Sequence, residues 1–233
     1  MYINRFYIII YMSAYKTYEQ YSQGGQDIYV TRILKEKRDG YFVEIGANNG
    51  YTMSNTYLLE KNYGWKGICV EATPYKITEL TNNRPNAICI SNAVHSESNL
   101  ELDFTTTVID ILNVITEYAE IAVDFLNQNG EIIKVNTRSL TDILNQNNAP
   151  ENIDYLSIDT NGSEYKVLEG IDFSKYKFGV ITVKNSLIEE KQNRIKEILT
   201  LNGYSVQQTV RMVDNITDDI YVPNSIYIED YTY

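Results

Sequence analysis

Three acids and a glycine turn stand where an α/β chain could do chemistry. Glu44 comes near the end of the apolar run 41–45, Glu71 follows the run 67–70, and Asp159 follows 153–158. Between the first two runs lies Gly46-Ala47-Asn48-Asn49-Gly50. Each short apolar run reads as a buried strand. The acids therefore fall at strand carboxyl ends, where open α/β sheets bind their ligands. A helix predicted over Tyr51 to Glu60 or Lys61 would bring the exposed backbone N–H groups of its first turn, and its positive end, to the glycines. A plainer reading stands beside this one: a tight turn that needs glycine for its backbone angles alone.

Two cofactor classes fit a glycine turn followed by an acid on the next strand. A dinucleotide asks for G-x-G-x-x-G, so that the backbone can approach a pyrophosphate. Here Gly46 and Gly50 have no third glycine on that spacing. S-adenosyl-L-methionine has no pyrophosphate and needs only a turn on which its methionyl and ribose portions can lie. In that reading Gly46, Asn48 and Gly50 line the cofactor, and Glu44 accepts from its ammonium, directly or through water. Glu71, with Ala72 beside it, forks onto the two ribose hydroxyls through two acceptor oxygens. The alternative for Glu71 is a strand-end acid facing solvent or capping a helix.

The elements that must hold these residues follow from periodicity. Helices are predicted over 24–37, 51–61, 74–83, 140–146, 164–169 and 188–201, and strands over 41–45, 67–71, 87–94, 100–104, 132–137, 153–159 and 178–183. Two further strands, 204–213 and 219–222, read as a hairpin. Residues 108–129 fit one or two helices and form a candidate lid within an insertion at 106–130. Alternating strands and helices imply a mostly parallel sheet covered on both faces. The expected organisation is an arm and helix over 1–40, packed on one domain over 41–233.

Composition narrows the function classes. The formal net charge is −11 over 233 residues, which argues against a broad nucleic-acid face, because phosphate affinity comes mainly from Lys and Arg. The apolar run 6–12 is too short to span a bilayer, which takes roughly 20 residues, and lacks a signal-peptide cleavage pattern. It reads as a packed arm or an oligomer contact, and a cytoplasmic location follows. Cys69 and Cys89 sit in adjacent apolar runs and read as reduced core thiols. His95 is the sole histidine, so a zinc site or a Ser-His-Asp triad must use it or be absent. It reads as a loop histidine or a base. Trp65 and Tyr63 read as packing residues, and Arg84 and Arg138 as solvated charges.

Several ordered motifs together resemble the FkbM-type methyltransferases. They are Ser22-Gln23-Gly24-Gly25-Gln26-Asp27, the 44–50 turn, Ser54-Asn55-Thr56, Glu60, Gly64-Trp65-Lys66-Gly67, Val70-Glu71, and 158–164 with Val167-Leu168 and Gly203-Tyr204. The resemblance spans roughly 21–222. It implies a class I methyltransferase, Rossmann-like fold and O-methyl transfer from S-adenosyl-L-methionine to a small molecule, a sugar or glycan hydroxyl being favoured. It also implies that Asn92 and Ala93 lie near the adenine, that Gln23, Gln26 and Asp27 close over cofactor and acceptor, and that Asp159 and Glu164 stand at the active site. Asp159 is then the base or the group that orients the hydroxyl, with a cofactor-positioning role as the alternative. Glu164 would supply a like charge that raises the base's pKa, or simply interact with a helix dipole.

Two departures bear on that reading. Thr160-Asn161 replaces the family's middle pair in the Asp159 motif, and Lys184-Asn185 stands where the family often has Glu-His. Lys184 opposes the like charge of Glu164, or acts as a base itself if its pKa is lowered. The exchange counts against a divalent metal. It also motivates a rival: a cofactor-binding or assembly protein with a decayed site. A nucleic-acid methyltransferase is a further, weaker alternative.

Overall fold

The computed structural model of the chain describes residues 19–120, 122–211 and 216–226. The apolar run 6–12, read above as an arm, lies outside them.

Helix α1 covers Gln26–Ile33 and strand β1 Tyr41–Ile45. Then come α2 (Tyr57–Tyr63), β2 (Lys66–Glu71), α3 (Ile77–Asn83), β3 (Ala87–Ser91) and β4 (Ala93–Val94). The middle of the chain supplies β5 (Glu101–Thr106), β6 (Val114–Ile115), α4 (Val123–Asn129), β7 (Glu131–Arg138) and α5 (Leu140–Gln146). The last part holds β8 (Asn152–Ile158), α6 (Glu164–Glu169), β9 (Lys177–Lys184), α7 (Glu189–Leu201), β10 (Tyr204–Arg211) and β11 (Thr217–Pro223).

Among the described residues the main sheet has seven strands in the order β10-β11-β9-β8-β1-β2-β3. Strands β3, β2, β1, β8 and β9 run parallel, and β11 and β10 close the edge antiparallel. Strand order reverses at β1, which pairs β2 on one side and β8 on the other. The crevice at their carboxyl ends is therefore the expected ligand position.

Side chains of β1 alternate between two cores. Val43 and Ile45 join Ile68, Val70, Leu140, Leu156 and Ile158 on one face. Phe42 joins Cys69, Tyr155, Leu58, Leu59 and Trp65 on the other. Cys69 and Cys89 are register partners across β2 and β3, and both are free thiols, so the reduced pair expected from the sequence is present. Trp65 and Tyr63 are packing residues, both buried, and the Trp65 ring fills the space against Gly40.

Three segments differ from the sequence expectation. The predicted helix over 51–61 begins six residues late, because Ser54, Asn55 and Thr56 turn inward to bond Glu44. The predicted strand 87–94 breaks at Asn92: β3 stays in the main sheet, and β4 joins a second, four-stranded sheet ordered β4-β7-β5-β6. The insertion 106–130 holds less helix than its spacing implies. Tight turns at Asp110–Leu112 and Thr116–Tyr118 flank the two-residue β6, and among the described residues of the insertion only Val123–Asn129 is α-helical.

Candidate active site

One cavity of about 450 Å³ opens at the carboxyl ends of β1, β2 and β8. That is within the range of small-molecule and cofactor sites. Its wall at the glycine turn is backbone. Gly46 has φ +84°, and a Cβ there would stand 1.9 Å from the Asp159 carbonyl oxygen. The turn thus brings the end of β1 against the end of β8 with no room for a side chain. Gly46→Ala is expected to cost about 2–4 kcal/mol through clash and left-handed strain, read as a lower urea midpoint. An unchanged midpoint would mean that β8 can retreat.

Glu71 is buried at the end of β2. Its two carboxylate oxygens accept from the backbone N–H groups of Asn48 and Thr73, each at 2.7 Å. Each oxygen keeps a lone pair, and the carboxylate lines the cavity. Ala72, Asn92 and Ala93 line the same wall. Asn92 is held by its own N–H on the Glu71 carbonyl and by its side-chain amide on the Asn136 carbonyl.

Glu44 has a different occupation from the one its position suggests. It shares the face of Phe42, and its carboxylate meets a buried cation. Arg84, expected to be solvated, is fully buried. Its guanidinium donates to Glu44 at 3.0 Å, to Glu60 at 2.6 Å and to the Thr56 hydroxyl at 2.7 Å. Glu44 also accepts from the Asn55 N–H and the Ser54 and Thr56 hydroxyls. Its acceptor capacity is thus largely spent inside the protein. It touches the cavity wall, but it is first the anchor that shapes the loop between Gly50 and α2.

Asp159 lies just past β8, with its side chain about one-third exposed into the cavity. One oxygen accepts from the Lys184 ammonium at 3.0 Å, and the other has no partner among the described residues. Lys184 also donates to the Asn161 side-chain oxygen at 2.6 Å. Burial alone would lower the pKa of this ammonium, but Asp159 and Glu164 outweigh burial and raise it above the ordinary lysine range. Its neighbours therefore favour the charged ammonium, the opposite of the lowered pKa that a base role would need.

Glu164 does not line the cavity. It is buried and accepts from the backbone N–H groups of Thr160 and Gly162. Burial pushes its pKa up, with Lys184 pulling down and Asp159 pushing up. Its carboxylate pins the 160–162 turn that carries Asn161. The exchange to Thr160-Asn161, flagged in the sequence, is thereby accommodated. The Asn161 side-chain amide donates to the carbonyls of Ile111 and Asn113, tying the insertion to the site.

The amino-terminal signature divides. Gln23 and Gln26 line the cavity. Asp27 turns away from it and accepts from the N–H groups of Tyr21 and Ser22 and from the Ser22 hydroxyl, fixing the approach to α1. Gln26 donates at 2.7 Å to Asp218, a residue the sequence reading did not single out. His95 is buried outside the cavity, between the Tyr118 and Ser96 hydroxyls. Burial and Lys166 hold its pKa below the usual histidine value. Among the described residues no cluster of His, Cys, Asp and Glu could hold a metal ion. No helix among them is long and apolar enough to cross a membrane.

This sheet order, with its cavity at the β1 switch point, is that of a class I S-adenosylmethionine-dependent methyltransferase. Over residues 44–206 the chain matches the methyltransferase FkbM domain, more than half its length, and it belongs to that family. Its cofactor is S-adenosyl-L-methionine. Among solved structures it is similar to the METTL16 methyltransferase domain, at 9% identity and TM-score 0.50, covering 84% of this chain and 65% of that one. It is also similar to a precorrin-6y C5,15-methyltransferase from Geobacter metallireducens, at 13% identity and TM-score 0.47, covering 90% and 94%. Fibrillarin from Aeropyrum pernix, solved with natively bound S-adenosyl-L-methionine, gives 13% identity and TM-score 0.48, covering 80% and 67%. No curated protein matches the chain.

Proposed function

We propose that the protein is an O-methyltransferase whose acceptor is a hydroxyl of a small molecule, a sugar or glycan in particular. The residues present fit the cofactor. Glu71 offers two free lone pairs beside the glycine turn, in the arrangement a ribose diol asks for, and Gly46 leaves bare backbone next to it. Ala72, Asn92 and Ala93 would flank the base. When bound, S-adenosyl-L-methionine supplies an electrophilic methyl, so that an oxygen–carbon bond forms as the carbon–sulfur bond breaks and the sulfur leaves neutral.

This chain's own residues must then orient a hydroxyl and take its proton. The observation that carries the reading is Asp159. One oxygen is held by Lys184, the other is open, and the carboxylate shares a cavity with the Glu71 fork. The open oxygen would accept from the acceptor hydroxyl and take its proton as the methyl moves, and the exposed edge would release it to solvent. Lys184 and Asn161 fix the carboxylate's direction and add polar groups of both kinds, which suits a hydroxyl-rich acceptor.

Calorimetric titration of S-adenosyl-L-methionine, with NAD as control, tests the cofactor site. Micromolar binding and no NAD binding are expected. Glu71→Ala should weaken binding by about ten- to a hundredfold, the scale of lost hydrogen bonds to a charged group. Equal affinity in wild type and variant would remove Glu71 from the site. Release of S-adenosylhomocysteine over a panel of methyl glycosides and nucleotide sugars tests the acceptor class. Turnover on RNA but on no sugar would overturn it.

A further inference from the structure

Asp218 is the buried acid that neither the sequence motifs nor the site described so far employs. It lies on β11, directly paired with Lys184 on β9. Paired residues of an antiparallel ladder point to the same side of the sheet. It is 2% exposed. One oxygen accepts from Gln26, and the other, Oδ1, has no hydrogen-bond partner among the described residues. A buried carboxylate oxygen without a donor is costly unless it is protonated or finds a cation. Lys184 uses two of its three N–H groups, on Asp159 and Asn161. A spare acceptor and a spare donor therefore lie on the same side of the sheet behind the cavity, with no hydrogen bond or ion pair yet joining them.

We propose that Asp218 is a positioning residue of the methyl-transfer site, one that competes with Asp159 for the Lys184 ammonium and holds Gln26 against the cavity. The proposal rests on the cofactor reading above. With Asp218 neutral, Lys184 stays on Asp159 and occupies one edge of the proposed base. With Asp218 ionised, Lys184 gains a second anionic partner, and Asp159 is freed to accept a proton. Burial and the like charge of Asp159 raise the Asp218 pKa to about 7, with Gln26 and Lys184 pulling the other way and Glu164 adding to the rise. The titratable and charged groups around it are thus Asp159 beyond β8, Lys184 on β9 and Glu164 at the start of α6, with Tyr155 on β8 also within its field. The switch therefore falls near neutrality. Through Gln26, Asp218 ties α1 to the carboxy-terminal hairpin.

The linkage has a definite sign. A carboxyl raised in the folded state gives stability that is complete below its unfolded pKa and is lost as pH rises through about 7. Asp218→Asn keeps an acceptor for Gln26 and removes the titration.

The test uses two cofactor analogues, S-adenosylhomocysteine and sinefungin, the latter bearing an amine where the transferable methyl would be. The amine senses negative charge at Asp159. Calorimetry between about pH 6 and pH 8 is expected to show the sinefungin-to-S-adenosylhomocysteine affinity ratio rising about tenfold in wild type, the equivalent of one pKa unit, and staying flat in Asp218→Asn. The wild-type urea midpoint should fall over the same window and the variant's should not. A merely structural role would move the midpoint but leave the ratio's pH profile intact, and that result overturns the proposal. If Asp218→Asn does not fold, a flat ratio in wild type alone overturns it. Tight binding of both ligands with a flat ratio sinks this proposal and spares the cofactor reading. Failure of both to bind sinks the two together.

Discussion

Arg84→Met is expected to destabilise the protein by about 3–5 kcal/mol, the scale for removing one partner of a buried charge cluster. The arginine is fully buried and answers two buried carboxylates, Glu44 and Glu60, and its guanidinium lies over the Phe42 ring at 4.9 Å. Methionine fills similar space but leaves both acids without a cation. They can then only take up protons or admit water, and each route costs free energy. Equilibrium urea unfolding at neutral pH measures the loss. The triple variant Glu44→Gln, Glu60→Gln and Arg84→Met should recover much of it, since exchanging a whole buried charge cluster is often close to neutral. A single variant as stable as wild type would mean that the acids are solvated, contrary to their burial.

The same cluster explains why the glycine turn was only partly legible from the sequence. Glu44 stands at a strand's carboxyl end, which suggests a ligand. Its parity with Phe42 on β1 carries the opposite message, that it points into a core. Arg84 gives no local sign of burial, because its partners lie 24 and 40 residues away. A helix pattern at 51–61 likewise cannot report that Ser54 and Thr56 will be drawn inward to a carboxylate. Local periodicity predicts the element, and a non-local charge moves its start.

The mostly parallel sheet and the acid at the end of β2 follow from patterns that are local or shared by the family. Glu71 and Asp159 were legible because strand ends and turn residues mark themselves. Asp218 was not. In the sequence it is one acid of the pair Asp218-Asp219 in a hairpin strand. Only the antiparallel pairing of β11 with β9 turns it toward Lys184 and buries it, while Asp219 bonds Thr209 and Gln192. Glu164 was legible as a helix-start acid, but the N–H groups from which it accepts belong to the preceding turn, which its carboxylate holds in place.

Asp159→Asn is expected to lower turnover on the productive sugar acceptor by about 10²–10⁴-fold, the usual share of a positioned base, while S-adenosyl-L-methionine binds as in wild type. The asparagine keeps the size of the side chain and an oxygen for Lys184, but the open position no longer accepts a proton. Cofactor affinity should hold because Glu71 and the glycine turn are untouched, so kcat falls and the calorimetric Kd does not. Release of S-adenosylhomocysteine at saturating acceptor reads the first, and titration the second. The pair of results separates the enzyme from its rival, a cofactor-binding protein with a decayed site. A decayed site would give the same background release from both proteins. Parallel losses of affinity and turnover would instead make Asp159 a cofactor ligand. The proton would then have to leave through solvent at the cavity mouth, a route that Lys184, whose charged form the surrounding carboxylates favour, does not assist.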